Sequence, residues 1–366
     1  MTCWQSFLSS FAPIMASKPA PLLGEEQPDP FLRVSVLLMP EFQTEHYFTL
    51  FKQCGVTDIV SPLPSDPTDL EALRAIKARI EGNGLRLSVL ERYWKHDAIV
   101  QNMPGKRKQI DDTKALIRNM GILGIPVLCY NWMQSSDWSR TSVTSTTRGN
   151  ALVSEFNALE PHKELGGQAP VRRAASSEEL WASLKAFLTE VIPVCEESGV
   201  SLSLHPDDPP MPSLNGRDQI FFNAEMLERA AKLVPSPANG ICFGQGTLAS
   251  AGDDIPGAIR RLAPYINFIH FRDVVGTVPH FKEVWQDNGK TDMVAAMHAF
   301  HDAGVRNVCI RPDHVPTLVG EDNRHPGYHM LGRLFALGYM KALMQSAEQA
   351  RRHVDDDDAE KPTSKL

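Results

Sequence analysis

The sequence predicts a single (β/α)8 TIM barrel of the α/β class, and three observations support this fold. Short apolar runs rich in β-branched residues alternate with longer segments of helical spacing. Strands that are apolar on both faces and separated by helices are typical of a parallel sheet covered by helices. The alternation occurs eight times, the number that closes such a sheet into a barrel. The length of 366 residues accommodates one barrel with terminal additions.

The predicted strands and helices alternate along the chain. Strands are predicted at Leu32–Leu38, Asp58–Ser61, Arg86–Glu91, Pro126–Asn131, Ser201–His205, Gly240–Phe243, Phe268–Arg272 and Asn307–Arg311. Helices are predicted at Glu45–Cys54, Leu70–Glu81, Arg107–Met120, Ser177–Ser198, Gln219–Leu233, Asp254–Leu262, Met293–Ala303 and Gly332–His353.

Local signals mark several helix ends. Ser177 stands before two glutamates, which suit the first turn of a helix. Asp292 is placed to cap the helix that starts at Met293, and Gly304 suits the end of that helix. Residues 132–176 are rich in Ser, Thr, Gly and Arg, and they predict an extended loop after the fourth strand.

The termini are predicted to lie outside the barrel. Residues 1–30 are interpreted as an N-terminal extension, residues 31–353 as the catalytic barrel and residues 354–366 as a flexible acidic tail. The tail ends in Ser-Lys-Leu, which matches the tripeptide that addresses proteins to peroxisomes. A peroxisomal location and binding to the peroxisomal import receptor are therefore expected, with a cytoplasmic location as the alternative.

Composition limits the other partners. The net charge of −7 and the lack of a basic stripe argue against nucleic acid as a partner. No run of eighteen apolar residues occurs, so no membrane span is expected. The six cysteines are dispersed, which favours free thiols in a reducing compartment. A homo-oligomer is expected.

Four successive strands deliver a metal-binding side chain at their carboxyl ends. These side chains are His205, Cys242, His270 and Asp313. The active site of a (β/α)8 barrel lies at this end of the strands. If it occurred alone, the cysteine would be interpreted as a small buried hydrophobic residue, and each histidine would be interpreted as a structural residue. Together, imidazole, thiolate and carboxylate predict a centre for one divalent transition metal.

The motifs of the second half resemble the mannonate dehydratase family. They are HPDDPP at 205–210, RPDH at 311–314, PGY at 326–328, CYNWM at 129–133 and DWSRT at 137–141. The resemblance covers roughly residues 85–340. It implies a barrel related to xylose isomerase that dehydrates D-mannonate, or a related aldonate, to a 2-keto-3-deoxy acid.

The resemblance also implies roles for individual residues. It assigns the metal to the four ligands named above, with Mn²⁺ the expected ion and Fe²⁺, Co²⁺, Ni²⁺ or Zn²⁺ as alternatives. It assigns proton transfer to His314 and Tyr328. Loss of a proton α to a carboxylate needs a base, and departure of a hydroxyl needs an acid, so two such groups suit the reaction. The residues alone leave open that His314 only orients the adjacent aspartate and that Tyr328 only packs.

Four further residues are predicted to contact the substrate. Arg272 and Arg311 could pair with its carboxylate, because a guanidinium binds a carboxylate through two hydrogen bonds. Ion pairs with Asp207, Asp208 or Asp273 are the alternative for these arginines. Asp208 and Asn131 follow barrel strands and are also expected at the substrate.

The first two strands depart from the family pattern. The family has Trp-Tyr-Gly after the first strand and a His-His pair after the second, whereas this chain has Leu-Met-Pro at 38–40 and Ser-Pro-Leu-Pro at 61–64. Three alternatives to the dehydratase stand. One is a metal-dependent sugar isomerase or epimerase on the same barrel, another is a diverged barrel with little activity, and the third is a non-catalytic barrel that acts as a binding or scaffold protein.

Overall fold

The eight predicted barrel strands form a closed parallel barrel in a computed structural model of the chain. The structure describes residues 31–91, 96–134, 138–159 and 173–359, with side chains described up to residue 350. The strand order around the barrel is β1-β14-β11-β10-β7-β4-β3-β2. The predicted (β/α)8 fold is confirmed. The predicted extension at 1–30 and the Ser-Lys-Leu end lie outside the described residues.

Fourteen strands and ten helices are present in the described part of the chain. The strands are β1 (Leu32–Leu37), β2 (Asp58–Pro62), β3 (Arg86–Glu91), β4 (Val127–Tyr130), β5 (Ser142–Thr146), β6 (Leu152–Asn157), β7 (Ser201–Leu204), β8 (Ser213–Leu214), β9 (Arg217–Asp218), β10 (Asn239–Gly244), β11 (Ile266–Phe271), β12 (Val274–Thr277), β13 (His280–Glu283) and β14 (Val308–Pro312). The helices are α1 (Glu45–Gln53), α2 (Leu70–Glu81), α3 (Asp97–Val100), α4 (Lys106–Leu123), α5 (Ser177–Ser198), α6 (Ala224–Leu233), α7 (Gln245–Ala251), α8 (Ile255–Leu262), α9 (Met293–Asp302) and α10 (Met330–Ala359).

The helix signals in the sequence correspond to observed caps. Helix α5 begins with a capping box, in which the Ser176 hydroxyl accepts from the Glu179 amide and the Glu179 carboxylate accepts from the Ser176 amide. The Asp292 carboxylate accepts from the Ala295 amide at the start of α9. Gly304 follows α9 with a φ of 74°, a left-handed conformation that costs glycine little.

Three segments differ from the sequence prediction. The prediction of an extended loop at 132–176 was wrong in part, because this segment contains β5 and β6. Helix α10 continues through the aspartates at 355–358 to Ala359, past residue 354 where the acidic tail was expected to begin. Helix α6 begins at Ala224, five residues after the predicted start.

A small antiparallel sheet covers part of the carboxyl end of the barrel. Its order is β12-β13-β6-β5, so it joins the segment after β4 to the segment after β11. The central pairing sets Phe281 opposite Phe156, and both side chains are fully buried. This packing holds two loops that flank the strand ends as one unit.

The barrel interior is filled by side chains from the strands. One buried cluster contains Leu37, Val60, Val89, Val127, Cys129, Cys242, Phe268 and Cys309, with Tyr328 packed against it. A larger apolar cluster lies between the strands and the surrounding helices. Within the described residues, no helix combines the length and the apolar character needed to cross a membrane.

Candidate active site

A cavity opens at the carboxyl ends of the barrel strands. Its lining comes from β3, β4, β11 and β14 and from residues that follow β3, β4, β7, β11 and β14. Among the described residues, none from β1, β2 or β10 lines it. The lining residues are Glu91, His96, Cys129, Tyr130, Asn131, Trp138, His205, Asp208, His270, Arg272, Arg311, Asp313, His314 and Tyr328.

Two imidazole rings face each other in this cavity. The ring centroids of His205 and His270 are 4.8 Å apart. His205 Nδ1 is 2.7 Å from the Pro206 carbonyl oxygen, which can only accept, so Nδ1 carries the proton and Nε2 keeps a free lone pair. Burial, and then the nearby His270, lower the pKa of His205 to about 3. A neutral imidazole with an exposed lone pair is the form that binds a metal.

The Asp313 carboxylate lies beside these rings and is held by two arginines. Arg311 Nη1 is 2.8 Å from Oδ1, and Arg272 Nη1 is 3.2 Å from Oδ2. His270 Nδ1 lies 3.9 Å from Oδ1. Although burial acts in the opposite direction, His314 and Arg311 hold the pKa of Asp313 well below its usual value. The carboxylate is therefore ionised, as a metal ligand must be.

The fourth predicted ligand, Cys242, lies below the cavity and does not line it. The Cys242 side chain is fully buried, and its Sγ, the Sγ of Cys129 and a ring nitrogen of His270 lie within 4.8 Å of one another. Burial, and then the adjacent Cys129 thiol, raise the pKa of Cys242. Of the four predicted ligands, the structure thus brings three to the cavity wall and one to its floor beside His270.

His314 and Tyr328, the predicted proton-transfer pair, are in contact. His314 Nε2 is 3.1 Å from the Tyr328 hydroxyl. On the other side of the ring, Nδ1 lies 2.6 Å from Glu283 Oε1 and 2.7 Å from Arg272 Nη1. With the proton on Nδ1 the ring donates to Glu283 and Nε2 accepts from Tyr328, and with the proton on Nε2 the ring donates to Tyr328 and Nδ1 accepts from Arg272. The same two side chains could therefore pass a proton to or from a substrate in the cavity.

A buried ion network surrounds the predicted substrate residue Asp208. Arg140 binds the two Asp208 oxygens at 2.8 Å each and Glu283 Oε1 at 2.7 Å. Arg272 Nη2 is 3.2 Å from Asp208 Oδ2, and Arg272 Nη1 is 3.2 Å from Glu283 Oε1. Burial would raise the pKa of Asp208, but Arg140 and Arg272 together hold it below its usual value. Asp208 faces the cavity with its charge already paired.

The two arginines predicted to bind the substrate carboxylate are engaged inside the protein. Arg272 pairs with Asp208, which is the alternative that the sequence leaves open. Arg311 instead pairs with Glu91, at 2.7 Å and 3.1 Å, and with Asp313. Burial alone would raise the pKa of Glu91, but the positive charge of Arg311 lowers it, and the pKa lies below the usual value. Both guanidinium groups also line the cavity, so their substrate role stays a prediction.

The other aspartates considered as arginine partners have different contacts. Asp207 Oδ2 accepts from the backbone amides of Ile220 and Phe221. Asp273 accepts from the amide and hydroxyl of Thr291. These two side chains therefore order the backbone around the site. Asn131 lines the cavity, and its Oδ1 accepts from the Met133 amide.

Buried ion pairs surround the cavity. Within the described residues they join the carboxylates of Glu91, Asp208, Glu283 and Asp313 to the guanidinium groups of Arg140, Arg272 and Arg311. Buried charge is costly unless it is compensated, and these pairs supply that compensation. The donor set of imidazole, thiol and carboxylate suits a divalent transition metal. The residues present thus fit the predicted metal.

Comparison with known families identifies the relatives of this chain. The model of the D-mannonate dehydratase (UxuA) family matches residues 47–170 and 159–354. The chain belongs to the D-mannonate dehydratase family. Its class of enzyme is accordingly the hydro-lyases, as the sequence predicts.

Individual members of this family are similar over most of their length. A mannonate dehydratase of Enterococcus faecalis is 31% identical over 336 residues, covering 81% of this chain and 93% of the relative. One from Thermotoga maritima is 32% identical over 340 residues, covering 81% and 92%. The crystal structure of mannonate dehydratase from Streptococcus suis serotype 2 superposes with a TM-score of 0.80 at 28% identity, covering 87% of this chain and 96% of that one.

Other solved barrels share the fold at much lower identity. A D-psicose 3-epimerase from Clostridium cellulolyticum H10 matches with a TM-score of 0.57 at 14% identity, covering 87% of this chain and 99% of that one. At that identity the likeness concerns the barrel alone. The relation to xylose isomerase-like barrels expected from the sequence is confirmed at the level of fold.

Several residues of the site were not assigned from the sequence, among them Glu91, Cys129, Arg140 and Glu283. Glu283 lies in β13, well beyond the nearest predicted strand end at Arg272, and it reaches His314 only because the small sheet folds back over the barrel. Arg140 and Cys129 occur in recognised motifs, but nothing in their spacing shows their partners. Val127 and Cys129 are two residues apart in β4 and therefore share the strand face that points into the barrel. This spacing was the signal that could have placed the Cys129 thiol in the interior.

Proposed function

We propose that the chain dehydrates a sugar acid, D-mannonate or a related aldonate, to a 2-keto-3-deoxy acid. In this proposal a divalent metal is held by His205, Cys242, His270 and Asp313. The family membership supports the reaction class. The contact of 3.1 Å between His314 Nε2 and the Tyr328 hydroxyl carries the assignment of proton transfer.

The reaction removes a proton from C2 and a hydroxyl from C3 of the aldonate. One member of the His314–Tyr328 pair takes the C2 proton and the other gives a proton to the departing hydroxyl. Both side chains line the cavity and touch each other, so a proton taken by one can be returned through the other.

The surrounding charges prepare this pair. Glu283 and Arg272 both contact His314 Nδ1, and these contacts orient the ring so that Nε2 lies towards the tyrosine and the cavity. Arg272 and Arg311 place positive charge on the cavity wall, where the carboxylate of an aldonate needs a counter-ion. A bound divalent metal would supply Lewis-acid polarisation of the substrate oxygens.

The side of the cavity near β1 and β2 bears on which aldonate is the substrate. No described residue of β1 or β2 lines the cavity, and these are the strands whose ends depart from the family motifs. Within the described residues, these two strands therefore contribute no side chain that could distinguish one aldonate from another. For this reason the substrate test uses several stereoisomers.

The decisive experiment incubates the metal-loaded protein with a panel of aldonates and measures 2-keto acid with semicarbazide. The proposal expects keto acid from D-mannonate or a stereoisomer. Replacement His314→Asn or Tyr328→Phe is expected to lower kcat by about 100-fold, the ordinary contribution of a general acid or base. Tyr265→Phe, before β11 at the opposite end of the barrel, is the matched control and should leave kcat unchanged.

Two results would contradict the proposal. Absence of keto acid with every aldonate, together with ketose formation from an aldose, would favour an isomerase. Equal metal content in the Cys242→Ser variant and the unaltered protein would remove this thiol from the ligand set. The native metal is read from elemental analysis of the purified protein.

Two expectations from the sequence stay predictions. The peroxisomal address is tested by fusing the last dozen residues to a fluorescent reporter, and a diffuse cytosolic signal would refute it. The expected homo-oligomer is tested by light scattering on the purified protein, where a monomer mass would contradict it.

A further inference from the structure

One arginine of helix α10 is buried next to the proposed proton-transfer pair. Arg333 is 2% exposed and lies in the first turn of α10, shortly after Tyr328. Its Nη2 donates to the Tyr328 carbonyl oxygen, and its Nη1 donates to the Leu37 carbonyl oxygen at the end of β1. A single guanidinium group thus joins the segment that carries the tyrosine to a barrel strand from the other end of the chain.

The charge of Arg333 has no carboxylate partner within the described residues. The buried guanidinium groups of Arg272 and Arg311 pair with carboxylates, whereas that of Arg333 donates to backbone carbonyl oxygens. Burial lowers the pKa of Arg333 to about 9, so the group still carries its charge at neutral pH. A buried charge without an ion-pair partner is costly, and such departures from the usual rules are expected at functional sites.

The same guanidinium group also contacts the tyrosine ring. Arg333 Cζ lies over the Tyr328 ring at 5.6 Å from its centroid, and Arg311 Cζ lies at 6.0 Å. Cation–π attraction acts up to about 6 Å. Arg333 therefore contacts both the backbone and the ring of Tyr328. These contacts together hold the tyrosine hydroxyl where it is, 3.1 Å from His314 Nε2.

A second contact between the tyrosine segment and the end of β1 is exposed. His325 Nε2 lies 2.9 Å from Glu41 Oε1, and the two side chains are 30% and 49% exposed. Exposed ion pairs contribute little to stability. Arg333 provides a buried link between the same two regions. Because its acceptor in β1 is a backbone carbonyl, this link does not depend on the side chains at 38–40, where the chain departs from the family.

We propose that Arg333 is a positioning residue for the dehydration, and that it holds the Tyr328 hydroxyl in place for proton exchange with His314 and the substrate. This inference rests on the proposed function, because it concerns one member of the same proton-transfer pair. Among the described residues that line the cavity, Arg333 is absent, so it acts through the tyrosine rather than on the substrate. A displacement of about 1 Å can lower a rate by about 100-fold. Loss of Arg333 should therefore lower kcat and leave KM nearly unchanged.

The kinetic test compares Arg333→Met with Arg306→Met in the metal-loaded, full-length protein. Arg306 is the matched control, because it donates to two backbone carbonyl oxygens and lies over the Phe31 ring, at the opposite end of the barrel. Arg333→Met is expected to lower kcat by about tenfold to about 100-fold with KM within about threefold, whereas Arg306→Met should change neither. An unaltered kcat in Arg333→Met, at equal folded fraction, would overturn the inference.

A conservative variant guards against loss of folding. Arg333→Lys keeps the charge but replaces the planar fork with a single ammonium group. It should lower kcat less than Arg333→Met does, and it serves in each measurement if Arg333→Met does not fold. A kcat in Arg333→Lys below that of a folded Arg333→Met would contradict the role given to the guanidinium.

A combined variant decides whether Arg333 acts through the tyrosine. In the Tyr328→Phe background the hydroxyl is absent, so Arg333→Met should lower kcat by no more than about threefold further. Losses that add independently, with a further fall of about tenfold in this background, would overturn the inference. Such a result would show an effect of Arg333 that does not pass through the hydroxyl.

Amide hydrogen exchange gives a measurement that needs no activity. The Tyr328 amide donates to the His325 carbonyl oxygen. Its exchange should be faster by about tenfold or more in Arg333→Met and unchanged in Arg306→Met, because a link that holds this segment is lost. Equal exchange in Arg333→Met and the unaltered protein would overturn the inference. Faster exchange in Arg333→Met, with no keto acid from any aldonate in the unaltered protein, would reject the proposed function and still support the placement of the tyrosine by Arg333.

Discussion

Glu283→Gln tests whether the small sheet prepares the proton-transfer pair. The carboxylate accepts from Arg140, Arg272 and His314 at 2.7, 3.2 and 2.6 Å and is 3% exposed. Burial would raise its pKa, but His314 and Arg140 lower it from 4.5 to about 2. A shift of that size corresponds to about 3 kcal/mol of folding free energy. Loss of one partner from a buried ion network costs a similar amount, about 3–5 kcal/mol.

The stability effect has a defined dependence on pH. Because the folded-state pKa of Glu283 is depressed, its contribution is complete above about pH 4.5 and is lost as the pH falls towards 2. Urea unfolding of the metal-free protein should therefore show Glu283→Gln less stable by about 3 kcal/mol at pH 7. The difference should shrink between pH 4.5 and the lowest pH at which the protein folds.

The catalytic effect should appear in kcat rather than in KM. Glu283 does not line the cavity, but it accepts from His314 Nδ1. A glutamine keeps the shape and loses the charge, so we expect kcat to fall by about 100-fold, as for loss of a positioned acid or base. KM and metal content should stay within a factor of about three, since no contact with substrate or ligand is removed.

A matched control lies on the same small sheet. Glu155 pairs with His280 at 2.6 Å, and its side chain is 24% exposed. Glu155→Gln should change stability by less than about 1 kcal/mol and leave kcat unaltered, because exposed ion pairs contribute little. The reasoning fails if Glu283→Gln keeps kcat within about threefold of the unaltered enzyme at equal folded fraction.

Four further changes test other parts of the structure. Asp313→Asn should lower metal affinity by at least about tenfold, measured by elemental analysis after dialysis, and full metal content would contradict its role as a ligand. Added Mn²⁺ or Zn²⁺ at about 100 times its Kd should stabilise the metal-free protein by about 2.7 kcal/mol in thermal unfolding, and an unchanged Tm would argue against a built metal centre. Gly289→Ala should destabilise the protein by about 1–3 kcal/mol, because a Cβ there would lie 2.1 Å from Asp273 Oδ2; an unchanged Tm would show that the loop yields freely. Gly338→Ala in α10 has open space around the new Cβ and should instead stabilise the protein by up to about 1 kcal/mol, and a lower Tm would contradict this.

The barrel could be predicted because its strands are buried on both faces. An apolar run such as Ile266–Phe271 is typical of a central parallel strand when similar runs alternate with helical segments along the chain. The small sheet was missed for the opposite reason. Strand β5, Ser142–Thr146, carries Ser, Thr and one Val with two exposed positions, and such a composition is also typical of a loop.

The candidate site could be predicted where residues directly follow barrel strands. His205 and His314 fall there, and parallel strands bring their ends to one rim. Partners that arrive from elsewhere could not be predicted, because their proximity depends on tertiary folding. Glu283 reaches the site through a hairpin, and Cys129 has the appearance of a small hydrophobe within an apolar strand.

The pairing of β6 with β13 has a consequence for attempts to alter this enzyme. Residues 152–157 and 280–283 come from different βα loops, yet they share backbone hydrogen bonds and a buried aromatic contact. In most barrels each such loop can be exchanged separately, which is how one scaffold comes to host many reactions. Here, replacing one of the two loops would remove the hydrogen-bonding partner of the other. New specificities will therefore require that both loops are exchanged together.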